Sequence, residues 1–310
     1  MNRMRSLAAA SLAFTFTCLC GSASAQPVEI VVVDDSLSEV RLAAPAQRII
    51  SLAPSLTELA YSAGAGDKLI GVVEYSDYPA AAQTLTLVGR FDRFDIELIL
   101  SLQPDLILAW QTGNPQATVA QLKQLGLTVY IAEPKLLESI PTQIEKIGRL
   151  AGTEATATKA IQQYEEDYAS LSARYRGAAE VRVMLQVWDR PLMTTGGNEL
   201  GNDLIALCGG SNIFGDLASL APKVNLEAVL LRDPELIVAS GVDEARPPWL
   251  DDWLQWPSIS AVANGHLSFI DPDLTQRHSV RVLEGAALLC EQIDRARKAR
   301  INLERPERLP

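Results

Sequence analysis

Histidine is nearly absent from this chain: its 310 residues hold only two, His266 and His278. Capture of free zinc or manganese draws on several histidines and carboxylates, so the composition argues against a dedicated metal-capture site. Common enzyme signatures are missing too. There is no Gly-x-Ser-x-Gly turn, no phosphate-binding loop and no Cys-x-x-Cys pair. The Gly209-Gly210 pair follows a helical pattern instead of a strand, and so reads as a helix stop. Positive charge is in deficit: 27 Lys and Arg stand against 38 Asp and Glu, a net of −11 at pH 7. A carboxylate-rich surface repels phosphates, which argues against nucleic acid as a partner.

The first 25 residues carry a targeting pattern. Arg3 and Arg5 precede an apolar run from Leu7 to Cys20, and Ala23-Ser24-Ala25 is a small-x-small cleavage signal. The run is too short, and too polar in its second half, to span a membrane. Cys18 and Cys20 raise lipidation as the alternative, but Thr17 and Leu19 precede them where a lipidation site takes a small residue. Cleavage after Ala25 is the expectation; losing Arg3 and Arg5 takes the net charge to −13. Cys208 and Cys290 are then the cysteines that remain. In an exported chain two cysteines point to one disulfide, with two buried free thiols as the alternative. Closing so long a loop stabilises by about 4–5 kcal/mol on the chain-entropy model.

Beyond a short hairpin over residues 28–43, apolar strands alternate with helical patterns. Strands are expected at 48–52, 69–73, 105–109 and 127–132. Ser55-Leu-Thr-Glu58 reads as a capping box opening a helix through Ala63, and further helices are expected at 96–101 and 118–125. Residues 154–176 read as one long helix without Gly or Pro. The alternation then restarts: strands at 181–187, 236–239 and 266–270, helices at 201–207 and 279–296. Such alternation implies parallel sheets. The expected fold is α/β, with two Rossmann-like lobes joined by a single long rigid helix and a ligand cleft between the lobes. The divisions are 26–152, 153–177 and 178–296, with 297–310 a loose tail.

Aromatic residues gather past strand ends. Tyr75 and Tyr78 lie in Glu74-Tyr-Ser-Asp-Tyr-Pro79, Phe91 and Phe94 in Gly89-Arg-Phe-Asp-Arg-Phe94, and Trp110 and Trp188 each close a strand. In open α/β sheets ligands bind beyond the carboxyl ends of the strands, so Trp110 and Trp188 are candidate ligand contacts. Phe94 and Tyr78 read as packing. Trp249, Trp253 and Trp256 have helical spacing and read as a packed face.

These motifs carry a resemblance. Arg48-Ile-Ile-Ser-Leu-Ala-Pro-Ser-Leu-Thr-Glu58 is similar to the opening of helical-backbone periplasmic binding proteins, the receptors for vitamin B12, haem, siderophores and some metals. Glu74–Pro79, Pro104-Asp-Leu-Ile-Leu-Ala-Trp110 with Gly113-Asn114, and Cys208-Gly-Gly-Ser-Asn-Ile-Phe214 most resemble the B12-binding members, and the resemblance spans nearly all of the chain after residue 25. It implies a monomeric periplasmic protein that captures a corrinoid, cobalamin, for an ABC-type importer in the inner membrane. It implies neither catalysis nor a cofactor, no protein ligand to cobalt is required, and no metal site is expected. It further implies a Cys208–Cys290 disulfide. Tyr75, Phe91 and Trp110 fall where the first lobe of the family contacts the corrin, and Trp188 falls near a contact of the second lobe. Asp273 and Arg277 fall where the family meets the polar edge of the ligand, a local salt bridge being the plainer alternative. Glu97 and Glu227 fall where each lobe shows one carboxylate to permease arginines, favourable helix-end charges being theirs.

The chain departs from the family pattern at Phe91 and Ala221, where those receptors carry Trp. Both changes reduce stacking area and bear on which corrinoid is taken. Haem or an iron-siderophore is the second reading, Tyr75 being a possible iron ligand. An enzyme on the same two-lobed scaffold is the reading of a different class.

Overall fold

The computed structural model describes residues 29–241 and 245–304, with side chains through residue 300. The cleavage segment and residues 305–310 lie outside that range. A hairpin, β1 (Ile30–Val33) and β2 (Glu39–Leu42), leads in. The first lobe continues with β3 (Ile49–Ser51), α1 (Pro54–Ser62), β4 (Leu69–Val72), β5 (Thr86–Leu87), β6 (Gly89–Arg90) and β7 (Arg93–Phe94). It ends with α2 (Ile96–Ser101), β8 (Leu106–Trp110), α3 (Gln116–Gln124), β9 (Val129–Ala132) and α4 (Ser139–Ala151). Its main sheet is entirely parallel, in the order β5-β4-β3-β8-β9.

A 22-residue helix, α5 (Glu154–Tyr175), carries the chain into the second lobe. There β10 (Val181–Trp188), β11 (Met193–Thr194), α6 (Leu200–Leu207), β12 (Gly210–Asn212), α7 (Leu226–Arg232) and β13 (Leu236–Ala239) are followed by α8 (Ser260–Ala263), β14 (Leu267–Phe269), α9 (Pro272–Thr275) and α10 (Val282–Glu304). β12, β13 and β14 are parallel to the sheet and β11 is an antiparallel edge on β10. Both sheets are buried on both faces, as crossover helices require. Alternate residues of one strand therefore enter different cores: Leu106 and Leu108 face α1 and α4, while Ile107 and Ala109 pack with Val119 and Leu122 of α3. In the second lobe Val183 and Leu185 join the core that contains α10, and Met184 packs with Phe214 and Trp253. Cys208 and Cys290 are joined by a disulfide that ties the end of α6 to α10. Among the described residues no helix is long and apolar enough to cross a membrane.

Three local readings of the sequence are corrected. No capping box forms at α1: Pro54 starts the helix with Ala53 as an N-cap that has no side-chain bond. Proline at the first turn costs nothing, because its missing N–H had no partner there, and Glu58 is thereby free for another use. A helix, α4, occupies residues left without one. Pro141 masks its start, yet Ile140, Ile144 and Ile147 are all fully buried at helical spacing. Gly148 lets α4 approach α5 closely, since a Cβ there would lie 2.6 Å from that of Ala157. Finally, the chain does not loosen at residue 297. α10 continues to Glu304, and buried Arg297 donates to the carbonyls of Ala179 and Cys208 at 2.6 and 2.9 Å. Its charged composition reads as solvated, but three carbonyl partners for the buried guanidinium outweigh that (Gly209 is the third).

Candidate functional site

β8 is buried along its length until its last residue, Trp110, emerges at the carboxyl edge of the first sheet. Buried Asn114 fixes it there. Its Oδ1 accepts from the Trp110 backbone N–H at 2.7 Å, and its Nδ2 donates to the carbonyls of Leu52 and Phe91, both at 2.9 Å. One amide thus ties the end of β3, the β6–β7 turn and Trp110 together. Gly113 lies directly against the indole: a Cβ there would sit 1.7 Å from Trp110 Cε3. Thr112 is fixed in turn, its backbone N–H and Oγ1 both donating to the Glu133 carboxylate at 2.9 Å.

Trp110 borders a cavity of about 320 Å³ that is walled by both lobes. Thr112, Glu133 and Lys135 come from the first lobe; Leu185, Val187, Thr195, Glu199, Ala221 and His278 are among those from the second. Trp188 does not line it. Successive strand residues alternate between faces, so Leu185 and Val187 of β10 reach this cavity while the indole of Trp188 turns away and donates to the Arg190 carbonyl at 3.0 Å. Ala221 at the cavity wall leaves room that a larger side chain would fill. Tyr75 is 64% exposed, on a left-handed residue with φ of 65°. Phe91 is half-exposed at the β6–β7 turn, brought near Trp110 by the shared Asn114.

A second polar cluster joins the lobes. Glu58, 2% exposed, accepts from Ser279 Oγ at 2.6 Å and pairs with Arg277 and Arg281 at 3.1 and 3.2 Å. Arg277 also meets Asp77 at 2.6 Å and Asp273 at 2.7 Å. Arg281 stacks on the Tyr78 ring, 4.1 Å from its centroid. Asp273 and Arg277 therefore do form the local salt bridge that was the plainer alternative, and Arg277 adds to it two first-lobe carboxylates, Glu58 and Asp77. Burial pushes the Asp273 carboxyl up to about 6, with the nearby Arg277 charge only partly opposing it.

Glu97 and Glu227 are exposed in the first turns of α2 and α7. The two helix starts are built alike: Asp95 Oδ1 accepts from Leu98 N and Asn225 Oδ1 from Ala228 N, both at 2.9 Å. Of the three spaced tryptophans, Trp253 is buried and donates to Gln186 Oε1 at 2.7 Å, so the packing reading describes it. Sequence reasoning missed Asn114, Glu58, Arg281, Glu199 and His278. Asn114 carried a signal as part of the Trp-x-x-Gly-Asn string, and Glu58 as the last residue of the Arg48–Glu58 motif.

Two parallel α/β lobes joined by one long helix, with a cavity walled by both, define a two-lobed solute-binding protein. Residues 49–274 match the family of periplasmic binding proteins, and the chain belongs to that family. It is 35% identical over 259 residues to the vitamin B12-binding protein of Vibrio parahaemolyticus serotype O3:K6, covering 83% of this chain and 92% of that one. It is 38% identical over 248 residues to the vitamin B12-binding protein of Yersinia pestis strain Pestoides F, covering 80% and 86% respectively. The crystal structure of the periplasmic vitamin B12 binding protein of Vibrio cholerae is similar over 82% of this chain and 99% of that chain, at 36% identity and a TM-score of 0.75.

Proposed function

We propose that this protein captures a corrinoid in its interlobe cleft, without chemically converting it, and delivers it in the periplasm to an ABC-type importer. The observation that carries this reading is Trp110, a broad apolar ring held by Asn114 and Gly113 at a cavity walled by both lobes. A corrin is a wide apolar disc fringed with amides. An aromatic wall buries its face, while Thr112, Thr195, Gln276 and backbone groups offer partners to the amides. Tyr75 and Phe91, exposed and near the same sheet edge, would add contact area as the disc settles. Trp188, standing off the cavity, would serve at most its rim. Asp273 and Arg277 would reach the ligand edge only by giving up bonds of the interlobe cluster.

The lobes 26–152 and 178–296, bridged by 153–177, would close little on binding. The bridge is a continuous helix, and Glu58 binds the lobes through two guanidiniums. Glu97 and Glu227 would then stand at a fixed separation as anionic pegs for permease arginines, where carboxylate–guanidinium pairs fix orientation. A siderophore rich in anionic oxygens fits less well, since Arg277 and Arg281 are already engaged. Titration calorimetry with cyanocobalamin, cobinamide and haemin tests the reading. Saturable binding of the two corrinoids in preference to haemin is expected; binding of haemin alone would overturn it.

A further inference from the structure

Trp110 and Lys135 leave the first sheet side by side. Trp110 ends β8 and pairs in register with Ala132, the last residue of β9. Lys135 follows three residues later, after buried Pro134 has fixed the path of the chain. Both residues line the cavity between the lobes, and Lys135 is exposed. Four lining residues can carry charge: Glu133, Lys135, Glu199 and His278. Three of them have partners. Glu133 accepts from the backbone N–H and Oγ1 of Thr112, both at 2.9 Å. Glu199 accepts from Thr195 Oγ1 and the Gly201 backbone N–H, both at 2.6 Å, and its other oxygen is 3.4 Å from His278 Nε2. Lys135 has no such partner: among the described residues the lysines in ion pairs are Lys146 and Lys298.

An unpaired ammonium on a flexible four-carbon stem can follow an anion that arrives with the ligand. Its setting limits that anion. Glu133 and Glu199 stand in the same wall and repel further negative charge, so one lysine suits a single anionic group and not several. The amides that fringe a corrin are neutral. The nucleotide loop of a complete corrinoid adds one phosphodiester, a single negative charge at the periphery of the disc. With the face of the disc on Trp110, that periphery reaches the neighbouring strand end, β9, beyond which Lys135 stands.

We propose that Lys135 recognises the phosphodiester of the nucleotide loop, so that the cleft prefers complete corrinoids to those lacking the loop; the proposal rests on the corrinoid reading above. The contact is an ion pair in which no covalent bond forms or breaks and no proton moves. A lysine meets a phosphate as a point charge, and an exposed pair is screened by salt. Its contribution is therefore small beside burial of the disc on Trp110. It shows in the choice between corrinoids more than in overall affinity.

The test is titration calorimetry of the parent protein and of position-135 variants with cyanocobalamin and with dicyanocobinamide, the same corrin without the phosphodiester and its base. Lys135→Gln should narrow the preference for cyanocobalamin by about 2–5-fold, the effect of losing an exposed ion pair. Lys135→Glu should narrow it further, and Lys135→Arg should retain it. High salt should narrow the preference of the parent and leave that of Lys135→Gln unchanged. The base also distinguishes the two ligands, but it is neutral and accounts for neither the salt effect nor the response to charge at position 135. Retained binding of dicyanocobinamide reports that the variants fold. A Lys135→Gln variant that weakens both ligands equally, or neither, overturns the proposal and leaves the corrinoid reading standing. If the parent binds neither ligand, the corrinoid reading itself falls and takes the proposal with it.

Discussion

Replacing Glu58 with Gln asks how much the polar cluster contributes to holding the lobes as one body. The carboxylate is 2% exposed and faces two guanidiniums that are themselves mostly buried, Arg277 at 10% and Arg281 at 15%. Arg277 keeps Asp77 and Asp273 in the variant. Arg281 keeps only its stacking on Tyr78, worth about 0.5–2 kcal/mol. Removing one partner of a buried ion pair costs about 3–5 kcal/mol when the remaining charge is stranded. With one of the two arginines still satisfied, and a Gln carbonyl left to accept from Ser279, the lower end, about 3 kcal/mol, is expected. Urea unfolding of parent and variant, followed by circular dichroism, measures it. Glu58→Gln combined with Arg281→Met should recover about 1–3 kcal/mol of non-additive coupling, because the stranded charge is then gone. A loss under about 1 kcal/mol with additive single changes would refute the argument that these groups act as one buried unit.

The remaining predictions bear on the cleft, on pH and on docking. Gly113→Ala should push Trp110 from its seat, since the added methyl would stand 1.7 Å from the ring; corrinoid affinity should fall by about 1–3 kcal/mol, as for loss of a large apolar contact, with melting temperature much less affected. Asp273 titrates near 6 in the fold against 3.8 as the ordinary value, so the stability it contributes is present below about pH 4 and lost as pH rises through 6. Asp273→Asn should flatten the stability profile between those limits, and a profile unchanged in slope would show that another group titrates there. Glu97→Ala with Glu227→Ala should leave corrinoid affinity unaltered but abolish transport through the reconstituted permease and weaken complex formation in a salt-sensitive way; a double variant that binds the permease as tightly as the parent would reduce both residues to helix-end charges.

What could be read from the residues alone follows how local each cause is. Strands β8 and β13 were legible as apolar runs because parallel strands are buried on both faces, so Leu106 through Ala109 need no alternation. α5 was legible because 22 residues pass without a breaker. α4 was not, because Pro141 reads as an interruption unless its place in the first turn is already known. Glu58 shows the deeper limit. Three residues after Ser55 it satisfies a capping pattern, yet its partners are more than 200 residues away, at Arg277, Ser279 and Arg281. No local rule distinguishes the two uses.

The same limit applies at Trp188 and His278, and it decides the shape of the cleft. A strand end marks the right edge of a sheet, which is why Trp110 could be found, but the face is set by strand parity, and one residue separates Val187 in the cavity from Trp188 outside it. His278 in a polar loop looks like a solvated side chain until Glu199, 79 residues earlier, is placed behind it. The outcome is that the two arginines beside the cleft, Arg277 and Arg281, are spoken for by Glu58. An anionic ligand would have to compete with buried carboxylates for those partners, and stranding Glu58 would cost several kcal/mol. A large, nearly flat ligand with an apolar face asks for none of that exchange. It needs Trp110, room beside Ala221, and neutral hydrogen-bonding groups at its edge, all of which the cavity already presents.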